Sequence, residues 1–163
     1  MHLLLERDND PVALLPLYVK SHSYGEYVFD RGWADAFTRA GGHYYPKLQA
    51  SVPFTPVTGR KLLIADGEDR RQAACTLLRH AAQAMAEIGA SSLHVTFLTK
   101  DEWDLAGEEG FLQRTDKQFH WDNRGYDSFG AFLGELASAK RKNLRKERDA
   151  VRDAGVKIGR AHV

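Results

Sequence analysis

Residues 69–89 read DRRQAACTLLRHAAQAMAEIG, and this stretch carries the clearest structural signal in the chain. Its larger apolar side chains recur at helical spacing and form one stripe of Leu77, Ala81, Ala84, Met85 and Ile88. Such a stripe is typical of a helix that packs against a sheet or another helix. Gly89 follows the stripe and can adopt the left-handed conformation that ends a helix. The pattern therefore predicts a helix over residues 69–88.

Short apolar segments surround this helix on both sides and are predicted to be β-strands, because turn-forming residues bound them. They cover residues 1–5, 12–20, 26–29, 47–53, 61–65, 92–98 and 111–121. Pro16 interrupts one of them, which places that strand at an edge or at a bulge. Strands alternate with helices, while the first strands form a meander. We therefore expect an α/β fold of the α+β kind, with a mixed, largely antiparallel sheet flanked by helices.

Further helices are predicted from residues that begin or end them. Asp30 can cap a short helix that Gly41 and Gly42 end. The pair Thr99 and Glu102 has the spacing of a capping box, in which each side chain binds a backbone N–H of the first turn. Asp127 can cap a helix that contains Phe129, Phe132, Leu133 and Leu136, and a final helix is expected over residues 138–155.

The composition excludes several classes of protein. The 163 residues are 43% hydrophobic and 28% charged, which is ordinary for a globular chain. Cys75 is the only cysteine, so no internal disulfide can form and a reducing compartment is expected. No apolar run reaches the roughly 20 residues that a membrane span requires. We expect a cytoplasmic protein without a membrane span.

Positive charge is concentrated at the end of the chain. Residues 138–163 contain nine Lys or Arg and three Asp or Glu, although the net charge of the whole chain is only +1. A helix this basic can neutralise phosphate groups of a polyanion. The residues expected to do so are Lys140, Arg141, Lys142 and Arg145. A solvated helix face, or a surface that meets another domain, explains the same pattern.

Motifs that bind nucleotides or metals are absent from the sequence. It contains no Walker A loop, no GxGxxG, no HExxH and no CxxC, so no metal site is expected. Residues 42–60 instead combine tyrosines, hydroxyls, cations and rigid prolines, which is typical of a binding loop, although two proline turns would explain it too. Candidate substrate-binding residues are chosen by residue type and loop position. They are Lys20, His22, Tyr24, Tyr44, Tyr45, Lys47, Thr55, Thr58, Arg60 and His120.

The two ends of the chain suggest truncation. The first residues form a strand that enters a turn with nothing before it. The last six, IGRAHV, can be encoded by part of a common sequencing-library adapter, so residues 158–163 are expected to be translated adapter. A coincidental natural end is the alternative.

Four segments together resemble the FemAB-like predicted N-acyltransferases, the peptidoglycan biosynthesis/recognition proteins of the GNAT superfamily. They are LPLYVKSHSYGEYVFDRGWADAF, GGHYYPKLQASVPFTPVTGRKLL, QFHWDNRGYDSFGAFL and KRKNLRKERDAV. The resemblance implies two GNAT-like domains in tandem and a longer parent chain. Residues 1–126 would then be most of a first domain, incomplete at its start, and residues 127–157 would lead into a missing second domain.

The resemblance also implies an activity, namely transfer of an acyl or aminoacyl group to an amine of a small molecule or peptide, as in cell-wall peptide biosynthesis. The fragment alone is expected to be inactive, and no catalytic residue follows from the resemblance. Acyl-CoA and aminoacyl-tRNA are the candidate donors. Residues 65–71, ADGEDRR, hold one glycine and three acidic residues where CoA-binding relatives cradle pyrophosphate, which disfavours CoA here. The alternative is a non-catalytic binding module whose basic helix contacts nucleic acid or a partner protein.

Overall fold

The computed structural model describes residues 1–157 and residue 159. Within it the chain divides into two compact units, Met1–Thr115 and Asp116–Val163. The domain boundary expected at residue 126 stays a prediction. The adapter prediction for residues 158–163 lies, apart from residue 159, outside the described residues.

The first unit contains six strands and three helices among the described residues. The strands are β1 (His2–Arg7), β2 (Asp10–Pro16), β3 (Tyr18–Lys20), β4 (Lys47–Ala50), β5 (Leu63–Ile64) and β6 (Leu93–Val95). The helices are α1 (Arg31–Arg39), α2 (Arg70–Glu87) and α3 (Lys100–Glu108). The second unit contains α4 (Phe129–Gly134) and α5 (Ser138–Asp153).

The strands form two three-stranded sheets with the orders β1-β2-β5 and β3-β4-β6. All pairings are antiparallel except β4 with β6, so the mixed, largely antiparallel character is confirmed. The predicted strand over residues 12–20 is split between the two sheets. Pro16 ends β2, because proline has no N–H to donate to a ladder, and the fully buried Leu17 links β2 to β3.

Helix α2 confirms the helix predicted over residues 69–88 and provides much of the core of the first unit. The Asp69 carboxylate caps it by accepting the N–H of Gln72 at 3.0 Å. Leu77 and Ala81 are buried against strand residues that include Leu15 and Leu48. Ile88 was expected in the apolar stripe but is 40% exposed, because it follows the last buried turn as the C-cap residue.

Two predicted strands are wrong. Residues 26–29 form turns, since Phe29 has a φ of 50°, a left-handed conformation that no strand accepts. Residues 111–121 contain no strand, and Leu112 and Phe119 are 99% and 97% exposed. These residues pair with none of the described strands, although β1, β3, β5 and β6 lie at sheet edges, so the partial alternation of apolar and polar residues does not by itself form a strand.

Two of the predicted N-cap residues lie at helix starts, but neither makes the expected side-chain hydrogen bond. Asp30 is the N-cap of α1, and Thr99 is the N-cap of α3, yet neither side chain makes a capping hydrogen bond. The Glu102 carboxylate, expected to complete a capping box, instead accepts the backbone N–H groups of Lys61 and Leu62 at 2.9 and 3.1 Å. Helix α4 is capped by Ser128, one residue after the predicted Asp127.

The helix predicted over residues 138–155 is confirmed as α5 in the second unit. It has no buried residue, Leu144 is half-buried and Val151 is 50% exposed. It therefore draws little stability from an apolar face, as its sequence indicates. No helix of the described residues is long and apolar enough to cross a membrane.

Candidate functional site

The centre of the candidate site is an ion pair with no exposed surface. Lys47, the first residue of β4, places its ammonium group against the carboxylate of Asp30, and the two side chains are 0% and 1% exposed. The same carboxylate oxygen, Oδ2, accepts the hydroxyl of Tyr44 at 2.9 Å and that of Ser23 at 3.1 Å. A buried charge pair needs such additional hydrogen bonds to offset the loss of hydration.

Two half-buried tyrosines cover this pair. The Tyr45 hydroxyl donates to the Ser23 oxygen at 3.0 Å, so a chain of hydroxyls runs from Tyr45 through Ser23 to Asp30. The Tyr44 and Tyr45 rings meet edge to face with centroids 5.0 Å apart. The Lys47 ammonium lies 5.8 and 6.0 Å from their centroids, within range of a cation–π interaction.

His94 on β6 completes the group, which we call the Asp30 cluster. Its Nε2 lies 3.0 Å from the Ser92 hydroxyl and 3.5 Å from the Tyr44 hydroxyl. Burial, reinforced by the charge of Lys47, lowers the pKa of His94 to about 4, so this imidazole is neutral at neutral pH. The Asp30 cluster consists of Ser23, Asp30, Tyr44, Tyr45, Lys47 and His94.

The ionisation states of the cluster follow from burial and pairing. Burial alone would raise the pKa of Asp30, but the hydrogen bond and charge of Lys47 outweigh it and lower that pKa. Burial also lowers the pKa of Lys47, partly offset by Asp30. The Tyr44 hydroxyl has a raised pKa, first because of burial and then because it donates to the Asp30 carboxylate. At neutral pH Tyr44 is therefore a hydrogen-bond donor and not an acid.

One oxygen of the cluster has no hydrogen-bond partner among the described residues. It is Oδ1 of Asp30, which is buried while Oδ2 accepts three donors. Gln49, two residues after Lys47 on β4, has a similar buried oxygen. A buried acceptor without a partner is costly, so this oxygen is a place where an ordered water or a ligand could donate a hydrogen bond.

A second ion pair borders the Asp30 cluster. The ammonium of Lys20, at the end of β3, contacts the Glu26 carboxylate at 2.7 Å and lies 5.2 Å from the ring centroid of Phe54. The other oxygen of Glu26 accepts the Phe54 N–H at 3.0 Å. The charges of Glu26 and Lys20 both act on the pKa of Lys47, which places this pair beside the cluster.

The structure thus brings together some of the predicted substrate-binding residues and separates others. Tyr44, Tyr45 and Lys47 belong to the Asp30 cluster, and Lys20 borders it. The exposed residues His22, Tyr24, Thr55, Thr58 and Arg60 lie on loops of the first unit, outside the cluster. His120 is in the second unit, where it lines a cavity of about 330 Å³.

Three residues of the cluster were not among the predicted site residues: Ser23, Asp30 and His94. The sequence indicates Asp30 only as a helix cap. A signal that could have found its second role is Lys47, because a lysine at the start of an apolar strand needs an acidic partner if it is buried. Ser23 and His94 carry no local signal, because their contacts join segments far apart in the sequence.

Two acidic side chains lie at the N-terminus of α2 and are engaged by other residues. Asp69 accepts the Gln72 N–H, and Glu68 pairs with Arg7 at 2.8 Å. These carboxylates place negative charge at a helix end that, in other proteins, attracts phosphate groups. The expectation that residues 65–71 do not cradle CoA stays a prediction. No group of three or more His, Cys, Asp or Glu suited to a metal occurs in the part of the chain that the structure describes.

The basic residues expected to contact a polyanion lie on α5. Lys140, Lys142 and Arg145 are exposed, and none of them forms an ion pair with a described residue. Arg141 differs, since it is half-buried and its guanidinium lies 3.5 Å from the Gly134 carbonyl oxygen that accepts its N–H.

Comparison with known proteins gives one match. A search of curated proteins and a search of solved structures each find none. The family model of FemAB-like proteins, described as peptidoglycan biosynthesis/recognition, matches residues 1–162. That range is nearly the whole of the 163-residue chain and contains the Asp30 cluster and both units. The chain therefore belongs to the FemAB-like family, whose role is in peptidoglycan biosynthesis or recognition.

Proposed function

We propose that this chain is part of an N-acyltransferase that moves an acyl or aminoacyl group to the amine of a small molecule or peptide in peptidoglycan biosynthesis. Family membership supports a transferase. The single observation that supports a site at particular residues is the buried Asp30–Lys47 ion pair beneath the hydroxyls of the half-buried Tyr44 and Tyr45.

The direction of the hydrogen bonds explains how an amine would be held. Tyr45 donates to Ser23, and Ser23 donates to the Asp30 carboxylate. Each hydroxyl hydrogen is thereby turned inward, and the lone pairs of the Tyr45 oxygen remain as acceptors. An acceptor amine or ammonium group carries N–H donors that match this oxygen. We assign Tyr45 to contact with the acceptor.

Asp30 and Lys47 act in this proposal as positioning residues. The Lys47 side chain has no exposed surface, so it influences a substrate through Asp30 and the two tyrosines. The low pKa of Asp30 keeps the carboxylate charged and the hydroxyl chain oriented.

The donor is proposed to be aminoacyl-tRNA and not acyl-CoA. The carboxylates of Asp69 and Glu68 at the start of α2 disfavour a pyrophosphate. The exposed Lys140, Lys142 and Arg145 can approach the phosphates of RNA. We also propose, from the resemblance alone, that a longer parent chain contains a second GNAT-like domain.

The test is a transfer assay with the full-length product of the gene. The protein is incubated with an amine-bearing peptide and either labelled aminoacyl-tRNA or labelled acetyl-CoA, and the peptide is analysed by mass spectrometry. We expect the mass of one aminoacyl group to be added with the tRNA donor. Transfer with acetyl-CoA alone would overturn the choice of donor, and no transfer with either would overturn the proposed reaction.

A second candidate function is a binding module that contacts nucleic acid through α5. The observation that favours it is that this helix has no buried residue and exposes Lys140, Lys142 and Arg145, which form no ion pair with any residue that the structure describes. It predicts tRNA binding that weakens linearly with the logarithm of salt concentration, by a slope that falls by roughly one for each contacting cation removed. Binding with no transfer activity in the full-length protein would favour this function.

A further inference from the structure

The second unit contains an open cavity of about 330 Å³ with three aromatic walls. The Trp121 and Tyr126 rings lie nearly parallel, with centroids 6.3 Å apart. Phe132 meets both rings edge to face, at 5.9 Å from Trp121 and 5.6 Å from Tyr126. Trp121 is nevertheless 63% exposed, so much of this large ring remains available to a ligand.

A tight turn holds two of these rings together. The Asn123 side-chain oxygen accepts the backbone N–H groups of Gly125 and Tyr126 at 3.1 and 2.7 Å. Gly125 has a φ of 89°, a conformation that other residues rarely adopt. The turn reverses the chain and returns Tyr126 to Trp121, so the arrangement of the rings is fixed locally.

Charged side chains line the same cavity. Asp122 and Glu135 contribute carboxylates, and Arg124 contributes a guanidinium group. None of the three forms an ion pair with any residue in the part of the chain that the structure describes. The cavity therefore combines groups that attract a cation, namely aromatic faces and carboxylates, with one group that attracts an anion.

We infer that this cavity binds a small zwitterion that carries a primary ammonium group and a carboxylate, such as an amino acid. The ammonium group lies against the aromatic rings and is paired by Asp122 or Glu135, and the carboxylate is paired by Arg124. The volume suits a small ligand of this kind. None of its lining residues belongs to the Asp30 cluster, and its occupancy does not depend on the proposed transfer reaction.

The experiment is a titration of the whole chain followed by the indole N–H signals in two-dimensional NMR spectra. The chain has three tryptophans, so Trp33 and Trp103 in the first unit serve as internal references for Trp121. The probes are L-lysine, its Nα,Nε-diacetyl derivative, cadaverine and N-acetylglucosamine. They supply respectively both charges, only the carboxylate, only ammonium groups, and neither.

We expect L-lysine to shift the Trp121 signal saturably and to leave the other two unchanged. Diacetyl-lysine should bind about tenfold more weakly, and cadaverine should also bind more weakly than L-lysine. Glu135→Gln should weaken L-lysine binding about fivefold. Glu147→Gln, an exposed carboxylate of α5 outside the cavity, is the matched control and should change nothing.

Several results would overturn the inference. Equal binding of diacetyl-lysine and L-lysine would exclude recognition of the ammonium group, and equal binding of cadaverine would exclude the part assigned to Arg124. A saturable shift with N-acetylglucosamine and none with L-lysine would identify a sugar site instead. Equal shifts of all three tryptophans would show that no specific site exists. Since only binding is measured, failure here is distinguishable from failure of the transfer assay.

Discussion

Removing one member of the buried Asp30–Lys47 pair should strongly destabilise the first unit. Lys47→Met keeps much of the side-chain length but removes the cation, and it leaves a charged Asp30 that is 1% exposed. Loss of one partner of a buried pair typically costs about 3–5 kcal/mol, because the remaining charge is uncompensated. The hydroxyls of Tyr44 and Ser23 still donate to the Asp30 carboxylate, so we expect a loss of about 3 kcal/mol.

The double variant separates the charge effect from loss of packing. Asp30→Asn alone leaves the Lys47 ammonium unpaired and should cost a similar amount. With both substitutions no charge remains buried, so the combined loss of unfolding free energy should be smaller than the sum by at least about 2 kcal/mol. Lys100→Met is the matched control, since Lys100 is an exposed lysine paired with Asp104 and should cost less than about 0.5 kcal/mol.

Urea denaturation followed by circular dichroism gives the free energies, and amide hydrogen exchange of Lys47–Ala50 reports the strand itself. Single variants within about 1 kcal/mol of the wild type would refute the reasoning, since a buried unpaired charge cannot cost so little. Additive single effects would show that the two residues do not interact.

Three further predictions concern the first unit. Leu77→Ala, at a position that is 2% exposed, should cost about 2–5 kcal/mol in urea denaturation, whereas Leu112→Ala at a 99% exposed position should be neutral. Glu102→Gln replaces one of the two carboxylate oxygens that accept buried N–H groups with an NH2 donor, so one of these N–H groups loses its acceptor and the cost should be about 1–3 kcal/mol. The exposed Glu108→Gln should cost much less, and equal losses would contradict the role of Glu102. The pKa of His94 is about 4 in the folded protein and about 6.5 in the unfolded chain, so between these pH values the unfolded state binds more protons. The free energy of unfolding should therefore fall by about 2 kcal/mol from pH 8 to pH 5. His94→Gln should lose most of that fall, and an unchanged pH profile would contradict the assignment.

Local patterns predicted the helices well. Helix α2 begins one residue after its cap Asp69 because capping and apolar spacing act within a few turns. Gly41 ends α1 with a φ of 86°, as expected of a glycine at that position. The charged face of α5 was likewise evident from its sequence.

The strands and the candidate site could be predicted less well, because they form through contacts between segments that are far apart in the sequence. Residues 111–121 alternate partly in polarity but pair with none of the described strands. The predicted tyrosines and Lys47 do meet, yet the carboxylate that unites them lies 17 residues away, at a position whose sequence indicates only a helix cap. Asp30 caps α1 with its backbone while its side chain turns inward, which sequence spacing cannot distinguish from ordinary capping.

The most direct test of the proposed acceptor site compares two tyrosine variants of the full-length protein. Tyr45→Phe removes the hydroxyl whose lone pairs are assigned to the amine, and Tyr27→Phe removes one from an exposed tyrosine outside the Asp30 cluster. With aminoacyl-tRNA as donor, we expect kcat/KM for the amine acceptor to fall about tenfold or more in Tyr45→Phe and to stay unchanged in Tyr27→Phe. A wild-type kcat/KM in Tyr45→Phe would contradict the assignment of the Asp30 cluster as the acceptor site.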